Sequence, residues 1–255
     1  MTGTDTAFHR WIRHYHPATD AAARLVCFPH AGGSATFFFP AARALAPDVD
    51  VLAIQYPGRQ DRRTEPLLDS IEALAEPVAA ALIADHDGRP LTLFGHSMGA
   101  LVAFETARAL RHAGARLPLA LFLAAYPAAT GPITRTPIHE LPDREFIAEM
   151  RRMQGTPAAV LDNAELMAFL LPILRSDFQA CDTYACVAEP PLDCPLFVYG
   201  GDADADVDRP SLERWREVTT GGFTLTMFPG THFFVQSQSG QLLADIASRL
   251  GTLGI

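Results

Sequence analysis

Gly95-His96-Ser97-Met98-Gly99 is a G-x-S-x-G pattern that sets a hydroxyl between two glycines, directly after the apolar run Leu91–Phe94 and directly before a helical pattern from Met98 to Arg111. A serine in that context stands on a sharp strand-to-helix elbow, above a helix N-terminus that favours developing negative charge. A serine hydroxyl is a weak nucleophile alone, so the chemistry needs an imidazole base and a carboxylate to orient it. On such an elbow the acid and then the base follow the serine along the chain. Of the nine histidines, His139 and His232 meet that order outside the elbow helix. His139 falls in the stretch expected to form a lid, where a surface histidine is the ordinary explanation. His232 lies in Phe228-Pro229-Gly230-Thr231-His232-Phe233-Phe234, a loop leaving the last strand, and takes the base role. His96 adjoins Ser97, but neighbouring side chains on a tight turn diverge.

The acid comes from Gly200-Gly201-Asp202-Ala203-Asp204-Ala205-Asp206-Val207-Asp208, which offers four carboxylates after a strand. Alternation in an extended loop lets only one face His232. Asp204 is favoured, with Asp206 and then Asp202 as alternatives. The run lacks the glycine turn and distal glutamate of a calcium loop, so no metal is expected. An acyl oxyanion needs two N–H donors. Met98, after the serine, supplies one. The other belongs to Pro29-His30-Ala31-Gly32-Gly33, with Ala31 preferred over Gly32. Acyl transfer through Ser97 then needs no cofactor.

These residues require a scaffold that alternates strands and helices. Strands are expected at Arg24–Phe28, Val51–Gln55, Leu91–Phe94, Leu119–Ala124, Leu196–Tyr199 and Thr224–Phe228, and helices at Ile71–Ala84 (N-capped by Ser70), Met98–Arg111, around Leu212–Val218 and Leu242–Leu250. That rhythm predicts an α/β fold with a mostly parallel sheet covered on both faces. Between about 137 and 182 the rhythm breaks into two helical stretches, Asp143–Met153 and Ala164–Phe178, which predict a lid over the sheet edge.

Composition narrows the function further. Over 255 residues, 49% are apolar and 19% charged, with a net charge of −9, a globular balance that argues against nucleic-acid binding. All 20 cationic residues are arginine, which excludes Schiff-base, pyridoxal-phosphate and Walker-loop chemistry. No apolar stretch approaches the ~20 residues of a membrane span, and Met1–Pro17 has no apolar leader core. The cysteines Cys27, Cys181, Cys186 and Cys194 form no metal-binding spacing, and Cys27 reads as a core residue. A cytoplasmic protein is expected.

With these residues in view, the chain resembles the type II thioesterases that accompany polyketide and nonribosomal peptide synthetases. The likeness is carried by CFPHAGGSA (27–35), YPGRQDRRTEP (56–66), GHSMGA (95–100), GTPAAVLDNAELM (155–167), LPILRSDFQACDTY (171–184), the GGDAD loop and FPGTHFF (228–234). The resemblance implies a single α/β-hydrolase domain over 1–255 with a helical lid at about 137–182. It implies Ser97 as nucleophile, Asp204 as orienting acid, His232 as base, and Ala31 and Met98 as oxyanion donors. It further implies a monomer that hydrolyses acyl groups from the phosphopantetheine arm of an acyl or peptidyl carrier protein. Phe37, Phe38 and Met153 are then candidates to line the acyl channel, and Arg59, Arg62 and Arg63 a candidate docking patch. Two departures are visible: Ala124-Ala125-Tyr126-Pro127-Ala128 replaces an arginine-containing segment, and Thr231 replaces a second glycine before the histidine. The alternatives are an acyltransferase or cyclase, a small-molecule esterase, and an idle carrier-binding module.

Overall fold

The computed structural model describes residues 8–131 and 136–255; residues 1–7, the start of Met1–Pro17, lie outside the described residues. Among the described residues seven strands form one sheet: β1 (Ile12–Arg13), β2 (Ala23–Phe28), β3 (Val49–Ile54), β4 (Leu91–His96), β5 (Ala120–Ala124), β6 (Leu196–Gly201) and β7 (Phe223–Phe228). Their order is β1-β3-β2-β4-β5-β6-β7, and only the β1–β3 pair is antiparallel. Strand β5 is buried along its whole length, as a continuous apolar run in a sheet covered on both faces should be. The short strand β1 was not expected, because two residues carry no periodic signal.

Alternate residues of β2 face opposite layers. Val26 and Phe28 pack with α2 (Ile71–Ala84) and α3 (Met98–His112). Leu25 and Cys27 pack on the other face, among residues of α1 (Phe39–Leu45) and the C-terminal helix. Ser70 caps α2 by accepting the Ala73 N–H at 3.2 Å. The register pairs Phe28 with Gly95, His96 with Ala124 and Ala124 with Tyr199. Strands β2, β4, β5 and β6 therefore end level, and the loops after them open on one edge. In parallel sheets this carboxyl edge is where ligands bind.

Between β5 and β6 the chain makes α4 (Asp143–Met153), α5 (Ala158–Leu161) and α6 (Ala164–Thr183). They share an apolar cluster of their own, including Phe146, Met150, Met167, Leu174 and Phe178, with Ala31 packed against it. Helix α4 has the bounds expected from its pattern. Helix α6 continues past Phe178 to Thr183, and Asn163 caps it by accepting the Leu166 N–H at 3.0 Å. After β6 come α7 (Arg209–Glu213) and a 3-10 turn, Arg214–Val218, where one helix was expected. After β7 come α8 (Phe234–Ser237) and α9 (Ser239–Thr252).

Candidate active site

Ser97 follows the last residue of β4 and caps α3 with φ 55° and ψ −123°. A non-glycine residue there stores roughly 1–3 kcal/mol of backbone strain, the signature of a nucleophile elbow. Its geometry demands both flanking glycines. A Cβ on Gly95 would lie 2.1 Å from the Gly99 oxygen, and one on Gly99 would lie 2.1 Å from the Phe28 oxygen.

The loop after β7 brings His232 to the serine, with Nε2 2.9 Å from Ser97 Oγ. Its Nδ1 lies 2.8 Å from Asp204 Oδ2, and the two side chains are 18% and 1% exposed. A carboxylate only accepts, so the ring proton sits on Nδ1 and the Nε2 lone pair faces the serine hydroxyl. Asp204 Oδ1 is separately held by the N–H groups of Asp206 at 2.9 Å and Val207 at 3.2 Å. The neighbouring carboxylates are engaged elsewhere. Asp202 accepts the Gly230 N–H at 3.0 Å, Asp206 pairs with Arg152 of α4 at 2.9 Å, and Asp208 caps α7 through the Ser211 N–H at 2.9 Å. His139 binds Asp182 through Nδ1 at 2.9 Å, within the insertion and away from the serine.

Behind His232 sits a second pair of imidazoles. His96 Nε2 donates to the His232 carbonyl at 3.0 Å, and the His96 and His30 rings meet at 5.2 Å. Burial, then the His232 and Arg59 charges, pulls His30 down to about 3, and burial draws His96 well below the usual imidazole range. An unfolded chain takes up these protons near pH 6.5, so below that pH the unfolded state binds more protons. Stability is therefore expected to fall from pH 6.5 towards 3, by up to ~1.4 kcal/mol per pH unit for each histidine. Thermal melts between pH 7.5 and 4.5 should show that decline, with a shallower slope for His30→Gln. An unchanged slope would refute the linkage.

The chain from His30 to Gly33 closes a tight turn, with the Gly33 N–H on the His30 carbonyl at 2.8 Å and Gly32 at φ +75°. A trans peptide points its C=O and N–H in opposite directions. The Ala31 N–H therefore turns away from that bond, on a residue that lines the same pocket as Ser97. The Gly32 N–H, the alternative donor, is given to Asp177 Oδ2 at 2.6 Å. Met98 begins α3, where N–H groups have no intrahelical acceptor.

The pocket at the serine has a cavity volume of about 150 Å³ and opens to solvent. Its walls include Leu101 of α3, Met150 and Met153 of α4, and Leu174, Phe178 and Cys181 of α6. Met153, a channel candidate, is among these lining residues; the other two candidates, Phe37 and Phe38, are not. Phe38 is 3% exposed and packs edge-on against Phe94, while Phe37 stacks on His96 at 5.8 Å. The 3-10 turn Ala35–Phe38 carries both rings away from the pocket. Tyr126, Pro127 and Ala128 line it instead, and their place after a strand at the carboxyl edge was the signal to use.

The docking patch also needs correction. Arg59 and Arg62 are 6% and 3% exposed, leaving Arg63 as the exposed member. Arg59 pairs with the buried Asp177. Arg62 binds Glu65 at 2.7 Å and the Gln55 carbonyl at 2.7 Å, with its guanidinium 4.1 Å from the Trp11 ring centroid. Arginine tolerates burial when its planar donors are paired and its face is stacked.

Residues 23–250 match the family model described as a thioesterase domain. Thioesterase PikA5 of Streptomyces venezuelae is 44% identical over 94% of this chain and 85% of its own length. The gramicidin S biosynthesis protein GrsT of Aneurinibacillus migulanus is 37% identical over 95% of this chain and 94% of its own. Among solved structures, the type II thioesterase BorB from the borrelidin biosynthetic cluster superposes with a TM-score of 0.86 at 45% identity, covering 94% of this chain and 97% of that one. With an α/β-hydrolase sheet, a serine on the elbow and relatives of this closeness across nearly its whole length, the chain belongs to the thioesterase family, among the type II thioesterases of polyketide and nonribosomal peptide synthesis.

Proposed function

We propose that this thioesterase frees acyl groups from the phosphopantetheine arm of acyl or peptidyl carrier proteins by way of an acyl-enzyme on Ser97. The carrying observation is the hydrogen-bonded chain Ser97–His232–Asp204, at 2.9 and 2.8 Å, opening into an apolar pocket. Ser97 Oγ attacks the thioester carbon as its proton passes to His232 Nε2, and Asp204 steadies the imidazolium. The carbonyl oxygen, now negative, is received by the Ala31 and Met98 N–H groups. As the tetrahedral centre collapses, the C–S bond breaks and the imidazolium protonates the leaving sulfur. Water then attacks the ester carbon while giving a proton to His232, a second collapse returns that proton to Ser97, and the acid leaves.

The acyl chain lies in this proposal between Leu101 and the α4–α6 wall, with the insertion acting as a lid. The enzyme works as a cytoplasmic monomer and meets its carrier through a surface other than Arg59 and Arg62. The test is intact-mass spectrometry of a panel of acyl-loaded carrier proteins incubated with the enzyme. The expected result is loss of the acyl mass with the arm retained, and no loss with Ser97→Ala. Retention across the panel would overturn hydrolysis, and an acyl mass appearing on an added amine or alcohol would reassign the enzyme to acyl transfer.

A further inference from the structure

Two sequence blocks, Tyr56–Pro66 and Leu171–Tyr184, contribute nothing to the triad, yet a charged residue from each meets the other behind the oxyanion loop. Asp177 of α6 has 0% side-chain exposure and Arg59 has 6%. Asp177 Oδ2 accepts the Gly32 N–H at 2.6 Å and also Arg59 Nη2, while Arg59 Nη1 donates to the Pro57 carbonyl at 2.7 Å. On the same face of α6, Leu174 presses on the turn so closely that a Cβ on Gly32 would lie 2.5 Å from Leu174 Cδ2. Helix α6 thus grips the turn with a carboxylate and a methyl group, and it forms the pocket wall with Phe178 and Cys181.

We propose that Asp177, paired with Arg59, is a positioning residue that fixes the His30–Gly33 turn through the Gly32 N–H and thereby aims the Ala31 N–H at the oxyanion. The peptide between Ala31 and Gly32 can flip between two turn types while the turn stays closed. A carboxylate attracts its N–H and repels its carbonyl, so one orientation is selected. Without that grip the turn is free to flip this peptide and to move off α6, so the Ala31 N–H, carried on the same turn, shifts with it and loses the pre-organisation on which oxyanion stabilisation depends. The inference rests on the thioesterase mechanism above and adds a coupling between acyl pocket and oxyanion hole through one helix.

Two paired substitutions test it. Asp177→Leu/Arg59→Met replaces the ion pair by apolar groups of similar volume, an exchange that buried pairs often tolerate, and removes the acceptor for Gly32. Asp177→Asn/Arg59→Gln is equally neutral but keeps an amide oxygen for Gly32. On an acyl-carrier substrate the first pair should lose ~10–100-fold in kcat with KM within about 3-fold, while the second stays within about 3-fold of wild type. An alkyl boronic acid, whose adduct on Ser97 puts an oxygen in the hole, should bind the first pair more weakly by the same factor as kcat. Should the Leu/Met pair not fold, Asp177→Ser/Arg59→Gln, with a hydroxyl too short to reach Gly32, carries the same expectation. Wild-type kcat in the folded acceptor-less variant, or equal losses in both pairs, would overturn the proposal. Wild type and Ser97→Ala are run alongside: a wild type that releases no acyl group refutes the thioesterase mechanism, whereas active wild type with unchanged variants refutes only the role of Asp177.

Discussion

Ser97→Ala should lower kcat by about 10⁵–10⁶-fold on acyl-carrier substrate and abolish labelling by a fluorophosphonate, while the protein remains folded. The size follows from triads acting as a unit, in which loss of nucleophile or base removes nearly all of the catalysis the set provides. His232→Ala should cost about as much, and the double variant should be no worse than either single one. Folding survives because the hydroxyl's hydrogen bond is to His232, and alanine meets the same φ of 55° that serine already tolerates. Single-turnover acyl release read by mass is the measurement. Turnover within tenfold of wild type would remove Ser97 from the mechanism.

Asp204→Asn should lower kcat by ~10⁴-fold without unfolding the chain, by the tautomer argument known from serine proteases. The local geometry makes that argument strict here. Asp204 Oδ1 is held by the Asp206 and Val207 N–H groups, so an asparagine keeps its oxygen there and turns its NH₂ towards His232 Nδ1. The imidazole must then accept at Nδ1 and carry its proton on Nε2, where it cannot take the serine proton. Asp206→Asn, two residues on, should change kcat by less than about 3-fold, since Asp206 faces Arg152. Parallel steady-state kinetics on the two variants provides the check, and equal losses would mean that the acid has been misassigned.

Much of this arrangement was legible because local signals and tertiary demands agree. The helices at Ile71–Ala84 and Asp143–Met153 have the bounds their patterns predict, the first beginning at a serine cap. The elbow was legible for the same reason, since its glycines answer to clashes between neighbouring backbone segments. Where sequence reasoning failed, the deciding partner was remote. Arg59 reads as a surface cation because the carboxylate that draws it inside, Asp177, lies 118 residues further along the chain. Phe37 and Phe38 could not be sorted by composition, since an apolar ring suits a channel and a core equally well. Among the four carboxylates of one loop, sequence favours Asp204 and leaves Asp206 and Asp202 open, and only their separate partners distinguish them. Asp204 is the one that reaches His232.

Gly155, in the pocket wall, lies so near the Phe233 ring that a Cβ there would stand 2.6 Å from Cζ. Phe233 is the next residue after His232, so this part of the pocket wall is bare main chain resting on the immediate neighbour of His232. Any side chain at 155 has to push that ring aside. A side chain introduced at 155 is therefore expected to disturb the loop that carries His232 along with the pocket wall.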